Sequence, residues 1–227
     1  MTPRFFGVLL LVIALVSSAF VASPGPGFRL ADIREMVLLP PVGVVRTIGA
    51  GNQAAYSPAA SADASDALRQ ALLRHEEKLR LVGSLALPDT AHQQALAQLT
   101  SQVAGALERS RKRPLALPVP WLNTLLAARH QRYCLLSYVA GYTRTAANYR
   151  GKLAKDLGVG VLSMGLVVPI TAQHSTKVGV FIYDAQTQAI VYYKGSWPVE
   201  KDPLAGVVID QTLTDLLAPD FQLTDRI

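Results

Sequence analysis

Residues 177–197, KVGVFIYDAQTQAIVYYKGSW, constrain the fold more than any other stretch of this chain. Two runs rich in Val, Ile, Phe and Tyr flank the five-residue polar break Asp184-Ala185-Gln186-Thr187-Gln188. β-Branched and aromatic side chains fit a pleated, half-buried surface, so two such runs around a short polar break predict a β-hairpin. The break holds no Gly, which argues for a longer connection than a two-residue primed turn. Both faces of the pair carry apolar or aromatic groups, which places it inside a larger covered sheet, as its central pair.

Other segments supply the partners. Residues 133–145, YCLLSYVAGYTRT, form a second strand signal, with Cys134, Leu136, Tyr138 and Tyr142 on one face by their even spacing. Residues 36–45, MVLLPPVGVV, read as a first strand interrupted by Pro40 and Pro41, which implies an edge position, a bulge or an early end. Residues 46–62 read as a loop and 79–85 as a short strand. Helical spacing places Leu68, Leu72 and Leu79 on one face of a helix over 64–78, with Asp63 as N-cap. A second helix over 91–109, capped by Asp89 or Thr90, carries the stripe Leu96, Leu99, Val103 and Leu107. Arg109-Ser110-Arg111-Lys112-Arg113 closes it with cations that suit a helix C-terminus, or an acidic surface.

Pro120 is suited to open a third helix over 121–130, with Trp121, Leu125 and Ala128 inward. A last helix takes Asp202 as cap, Pro203 at its first position and Ile209, Leu213, Leu216 and Leu217 as its stripe, and Pro219 ends it. The segment 157–170, LGVGVLSMGLVVPI, reads as a buried helix, a strand or an interfacial insertion; it is too short to span a bilayer as a helix. The expected fold is α/β (α+β), a single mixed sheet of about five strands packed with three to four helices.

The N-terminus sets the expected location. Arg4 precedes an unbroken apolar run over 5–16, and Ser17-Ser18-Ala19 offers the small residues of a signal-peptidase site, with a second cut after Ala22 as the alternative. Residues 1–22 are therefore a signal peptide or an uncleaved anchor, 23–35 a flexible lead-in after SPGPG, and 36–227 one α/β domain. No Cys lies near this boundary, so a lipid-modified N-terminus is not expected. Cys134 is the sole cysteine, which rules out an internal disulfide, and its apolar surroundings predict a buried thiol. Half of the residues are hydrophobic and 17% charged, enough for a sizeable core. The net charge of +6 is spread along the chain and fits a basic protein, with contact to a membrane surface as the alternative.

The residues that could carry chemistry are scattered. His75, His92, His130 and His174 each fall in a different element, without HxH or HExxH spacing, and His130 and Cys134 are separated by a helix-to-strand break. Ser163 lacks a nucleophile-elbow context, and Gly158, Gly160 and Gly165 do not make a dinucleotide fingerprint. Asp184, Asp202 and Asp210 are explained by turn and helix chemistry. Tyr133, Tyr138, Tyr142, Tyr149, Tyr192 and Tyr193 interleave with Arg144, Arg150 and Lys194, but aromatic strand faces belong in cores, so no nucleic acid is expected. No catalytic, cofactor-binding or metal-ligating residue is assigned and no cofactor is called for. An enzyme would need distant residues such as His130, Asp184 and His174 to converge.

The order of these elements, with VLLPPVGVV first, HQRYCLLSYVAGYT in the middle and FIYDAQTQAIVYY late, resembles periplasmic proteins of the TolB N-terminal and CsgG-like group. In that group an early VLP strand precedes a helix, and an ADYVLSG strand leads to a pair containing DAxTGxVV. Gln188 stands where that pattern has Gly, and the lipoprotein Cys of many members is missing. The resemblance implies a non-catalytic component of the cell envelope that assembles with itself or with envelope proteins. A small exported enzyme, hydrolase-like, or a ligand-binding module is the alternative.

Overall fold

Strand β6 (Tyr133–Arg144) is the one on which the sheet is assembled. The computed structural model of the protein describes residues 29–109, 115–162, 172–221 and 223. Among these, β6 runs antiparallel to β7 (His174–Asp184), from Tyr133 opposite Asp184 to Thr143 opposite His174. Its other flank is taken twice. β1 (Met36–Leu38) pairs in parallel with the start of β6, Val37 opposite Cys134, and β2 (Val42–Ile48) with the remainder, from Val42 opposite Tyr138 to Ile48 opposite Arg144. Pro40 and Pro41 lie between the two. Lacking N–H groups they cannot continue a ladder, so the single interrupted strand expected from sequence is two strands. β1 is not an edge, because β4 (Leu81–Ser84) pairs with its far side.

The remaining strands are short. β3 (Ala54–Tyr56) is antiparallel to β2, and β5 (Leu115–Ala116) to β8 (Ala189–Gly195). The expected hairpin is β7 with β8, and it lies inside the sheet, between β6 and β5, but not as its central pair: β6 holds the centre and only the two-residue β5 lies beyond β8. Its break is one residue shorter than the sequence implies, because Asp184 closes the ladder opposite Ala189 and residues 185–188 alone make the turn. Gln188 there has a left-handed φ of 50°. The α/β class holds, but the sheet has eight strands where about five were expected, and five α-helices are described where three to four were expected. These helices are α1 (Pro58–Arg74), α2 (Thr90–Arg109), α3 (Pro120–Ala127), α4 (Ala146–Leu162) and α5 (Gly206–Phe221).

Side-chain alternation divides the core in two. On one face Val45, Leu135, Val139, Val178, Val180 and Ile182 meet Leu68 and Leu72 of α1 and Ile209, Leu213 and Leu217 of α5. On the other, Cys134, Leu136, Tyr138, Phe181, Tyr183 and Tyr193 meet Leu96, Leu99, Val103 and Leu107 of α2, with Leu122 and Leu126 of α3. The expected stripe of α2 is buried throughout, as are Leu68 and Leu72 of α1 and Ile209, Leu213 and Leu217 of α5; Leu79 is buried but lies beyond the end of α1, and Leu216 is half-buried. A Cβ on Gly179 would lie 2.1 Å from Cε1 of Tyr138, so this glycine makes room for the ring across the strand pair.

Several boundaries move. α1 starts at Pro58, not residue 64, and its N-cap is Ser57, whose hydroxyl accepts from the Ala60 N–H at 3.4 Å. The expected loop 46–62 therefore contains the end of β2, all of β3 and the first turn of α1. In α3 the buried residues are Leu122 and Leu126, one position away from Trp121 and Leu125. Asp202 caps a turn rather than α5 itself, and α5 continues past Pro219 to Phe221, because a proline in a final turn displaces little of the helical ladder. α4 absorbs the basic stretch and the first part of the segment 157–170; residues 163–170 of that segment lie outside the described residues, as do 110–113 of the basic run and the expected signal segment 1–22. Ahead of β1, residues Leu30–Asp32 form a 3-10 turn and Ile33 is buried in the core. Among the described residues no helix is long and apolar enough to cross a membrane.

Candidate functional site

The start of β6 and the end of β7 face each other, and this register brings together two charged residues far apart in sequence. Arg132 immediately precedes β6 and Asp184 closes β7. The Arg132 guanidinium donates through Nε to Oδ1 of Asp184 at 2.9 Å and through Nη2 to Oδ2 at 2.8 Å, a bidentate pair. Asp184 is only 2% exposed, whereas the Arg132 side chain is 48% exposed and lies over the Tyr133 ring, 4.8 Å from its centre. The backbone N–H of Gln186 donates to Oδ1 of Asp184 at 2.9 Å, the local turn bond expected of this aspartate.

The electrostatics follow from this geometry. Burial pushes the Asp184 carboxyl up, but the Arg132 hydrogen bonds, the Gln186 N–H and the Arg132 charge together hold it below the ordinary carboxylate range. Asp184 in turn raises Arg132 through its hydrogen bonds, against the smaller effect of burial. The pair is therefore charged throughout the physiological range.

Beside it lies an open cleft of about 490 Å³, lined by Asn123 and Ala127 of α3, His130, Gln131 and Arg132 of the following turn, and Ala185, Gln186 and Gln188 of the hairpin turn. Tyr183 donates from its hydroxyl to Oδ1 of Asn123 at 2.8 Å, which ties α3 to the sheet at the floor of this region. His130 has a left-handed φ of 54° and is exposed. Oε1 of Gln131 is buried and finds no hydrogen-bond partner among the described residues. The lining combines four carboxamides and one arginine cation with a larger share of apolar surface.

The residues singled out from sequence are dispersed. His130 reaches the cleft and Asp184 stands behind it, but His174 begins β7 opposite Thr143 while Asp184 ends it. At about 3.3 Å per residue the two lie roughly 33 Å apart, so the His130–Asp184–His174 constellation is not assembled. His92 accompanies Asp89, with Nδ1 2.8 Å from Oδ1, and its ring meets Trp121 edge-on. His75 lies 3.3 Å from the Thr214 hydroxyl. Asp202 accepts from the Leu204 N–H at 3.0 Å, a local turn bond, whereas Asp210 pairs with Arg74 at 2.8 Å and so ties α5 to α1. Among the described residues no three His, Cys, Asp or Glu side chains are grouped to hold a metal ion. Cys134 is fully buried, which pushes its thiol far above the ordinary range. Tyr138, Phe181 and Tyr193 stack in the core, at 5.6 Å and 5.4 Å between successive ring centres. Ser163 and Gly165 lie outside the described residues.

No family model matches the chain, and none of the curated proteins matches it. Arg132 is the residue that sequence reasoning passed over. Its one signal is position: a cation directly ahead of a strand whose antiparallel partner ends in aspartate.

Proposed function

We propose that this is an exported cell-envelope protein, related to the TolB N-terminal and CsgG-like group, that acts without catalysis through contacts with itself or with envelope proteins. The observation that carries this reading is the segment joining β8 to α5. Trp197 there is 89% exposed, and Val207, in the first turn of α5, is 76% exposed. Contiguous apolar patches left in water mark contact surfaces, and tryptophan is a frequent anchor within them. The apolar run at residues 5–16 supports export, and the left-handed Gln188, at the position where the resembled group has Gly, supports the relationship.

The test is sedimentation of the mature domain with and without Trp197→Ser and Val207→Ser. Association that the two substitutions abolish, with thermal stability unchanged, agrees with the reading; a strictly monomeric protein that also captures no envelope protein on cross-linking refutes it. N-terminal sequencing after fractionation tests the location, and cytoplasmic recovery with Met1 intact refutes export. The cleft, with its carboxamides and the Arg132 guanidinium, favours a second reading, a ligand-binding module.

A further inference from the structure

We infer that the cleft between α3 and the β7–β8 turn binds a carboxylate presented by a peptide. This rests on the second reading above, a ligand-binding module, and names its ligand class. The cation is prepared for such a ligand. Asp184 engages two of the five guanidinium N–H groups of Arg132, through Nε and Nη2, and thereby fixes the plane of the group at the cleft wall. The other three N–H groups have no hydrogen-bond partner among the described residues, and the side chain is half exposed. A guanidinium held on one edge by a buried acid offers its other donors without further loss of rotamer freedom.

The rest of the lining fits what accompanies a carboxylate on a peptide. Asn123, Gln131, Gln186 and Gln188 supply carboxamides, each with donors and an acceptor, which match the alternating N–H and C=O groups of a backbone. A free inorganic anion would engage Arg132 alone; the backbone of a peptide also engages the carboxamides. The carboxylate comes either from a chain terminus or from an Asp or Glu side chain, and the same site chemistry takes both.

The experiment titrates the intact mature domain with three peptides and follows the side-chain amide and Arg Nε signals by two-dimensional NMR. The peptides are tetra-alanine with acetylated N-terminus and free carboxyl terminus, the same peptide amidated, and amidated acetyl-Ala-Ala-Asp-Ala. Binding of the first or third, with signals of Gln131, Gln186, Gln188 and Arg132 moving and the amidated neutral peptide about tenfold weaker, is the expected result. Which of the two binds identifies the source as terminus or side chain. Arg132→Lys keeps a charge against Asp184 but loses the planar fork, and weakens binding about tenfold. His130→Gly keeps the fold, because glycine accepts the left-handed φ without strain, and so controls for a destabilised Arg132 variant; it weakens binding by a few-fold. Equal binding of the neutral amide overturns the carboxylate assignment while leaving a ligand cleft. Absence of any cleft signal change with all three peptides overturns the assignment and the ligand-binding reading together.

Discussion

On one face of the sheet aliphatic side chains meet α1 over β2 and β6 and α5 over β7 and β8; on the other, three stacked rings occupy the centre and the cover is shorter. Towards the C-terminal ends of β2 and β6 the ring face opens to water. Val44 and Tyr56 are exposed there, and Tyr142 lies half-buried beneath the Arg144 guanidinium. Small residues are placed differently on the two faces. Gly43, on the aliphatic side, lets the α1 backbone approach β2: a Cβ there would lie 2.0 Å from the Ser61 carbonyl oxygen. Gly179, on the ring side, accommodates only the edge of a tyrosine. One face is fitted backbone to backbone, the other side chain to side chain, and the first has less freedom to adjust.

The largest effect expected is at the ring stack. Phe181→Ala leaves Tyr138 and Tyr193 without their shared neighbour and costs about 3–5 kcal/mol by chemical denaturation, with collapse of the tyrosine near-ultraviolet dichroism. Its neighbour Ile182, equally buried on the opposite face, costs about 2–5 kcal/mol as Ile182→Ala and leaves that dichroism in place. Next comes the pair of glycines. Gly43→Ala costs about 3 kcal/mol because helix backbone must retreat, and Gly179→Ala about 1–2 kcal/mol because a ring can rotate away. Equal costs at the two sites would remove the distinction between the faces.

Acid titration sharpens the comparison at the margins, setting the α3 side against the α5 side. Asp184 is held below the ordinary carboxylate range as described, and Asp220 is too: burial raises it, but the Lys194 and Tyr192 hydrogen bonds outweigh that. A depressed carboxylate contributes stability above its unfolded value, near about 3.9, and that contribution is lost as pH falls through the lower folded value. The denaturation midpoint is therefore flat from neutral pH to about 5 and falls below about 4. Asp184→Asn flattens this acid limb more than Asp220→Asn, because Asp184 is the more buried acid with the bidentate partner. The smallest effect is a gain. Gln188→Gly relieves a left-handed backbone and raises stability by about 1 kcal/mol, read from the same denaturation curves.

Much of this arrangement was legible in the chain. The parity of Cys134, Leu136 and Tyr138 gave the ring face, and the leucine stripes gave the buried sides of α1, α2 and α5, because long periodic elements carry their burial in their spacing. β3 and β5, three and two residues long, are too short to show a period. The first turn of α1 is Pro-Ala-Ala-Ser, with no large apolar group to mark a face. α3 holds Trp121, Leu122, Leu125 and Leu126 in eight residues, so two of its sides are apolar and either could have been buried. The cleft was not legible, since the Arg132–Asp184 pair exists only once β6 and β7 are in register.

The break at Pro40-Pro41 also bears on the order in which the chain folds. β1 and β2 each find β6 roughly 100 residues downstream, and closing a loop of that length is among the slow, entropically opposed events of folding. Because only residues 39–41 separate the two strands, whichever pairs first brings the other within reach, and the second ladder forms as a local event. Two prolines that deny the sheet one continuous strand thus leave it with a single long-range search.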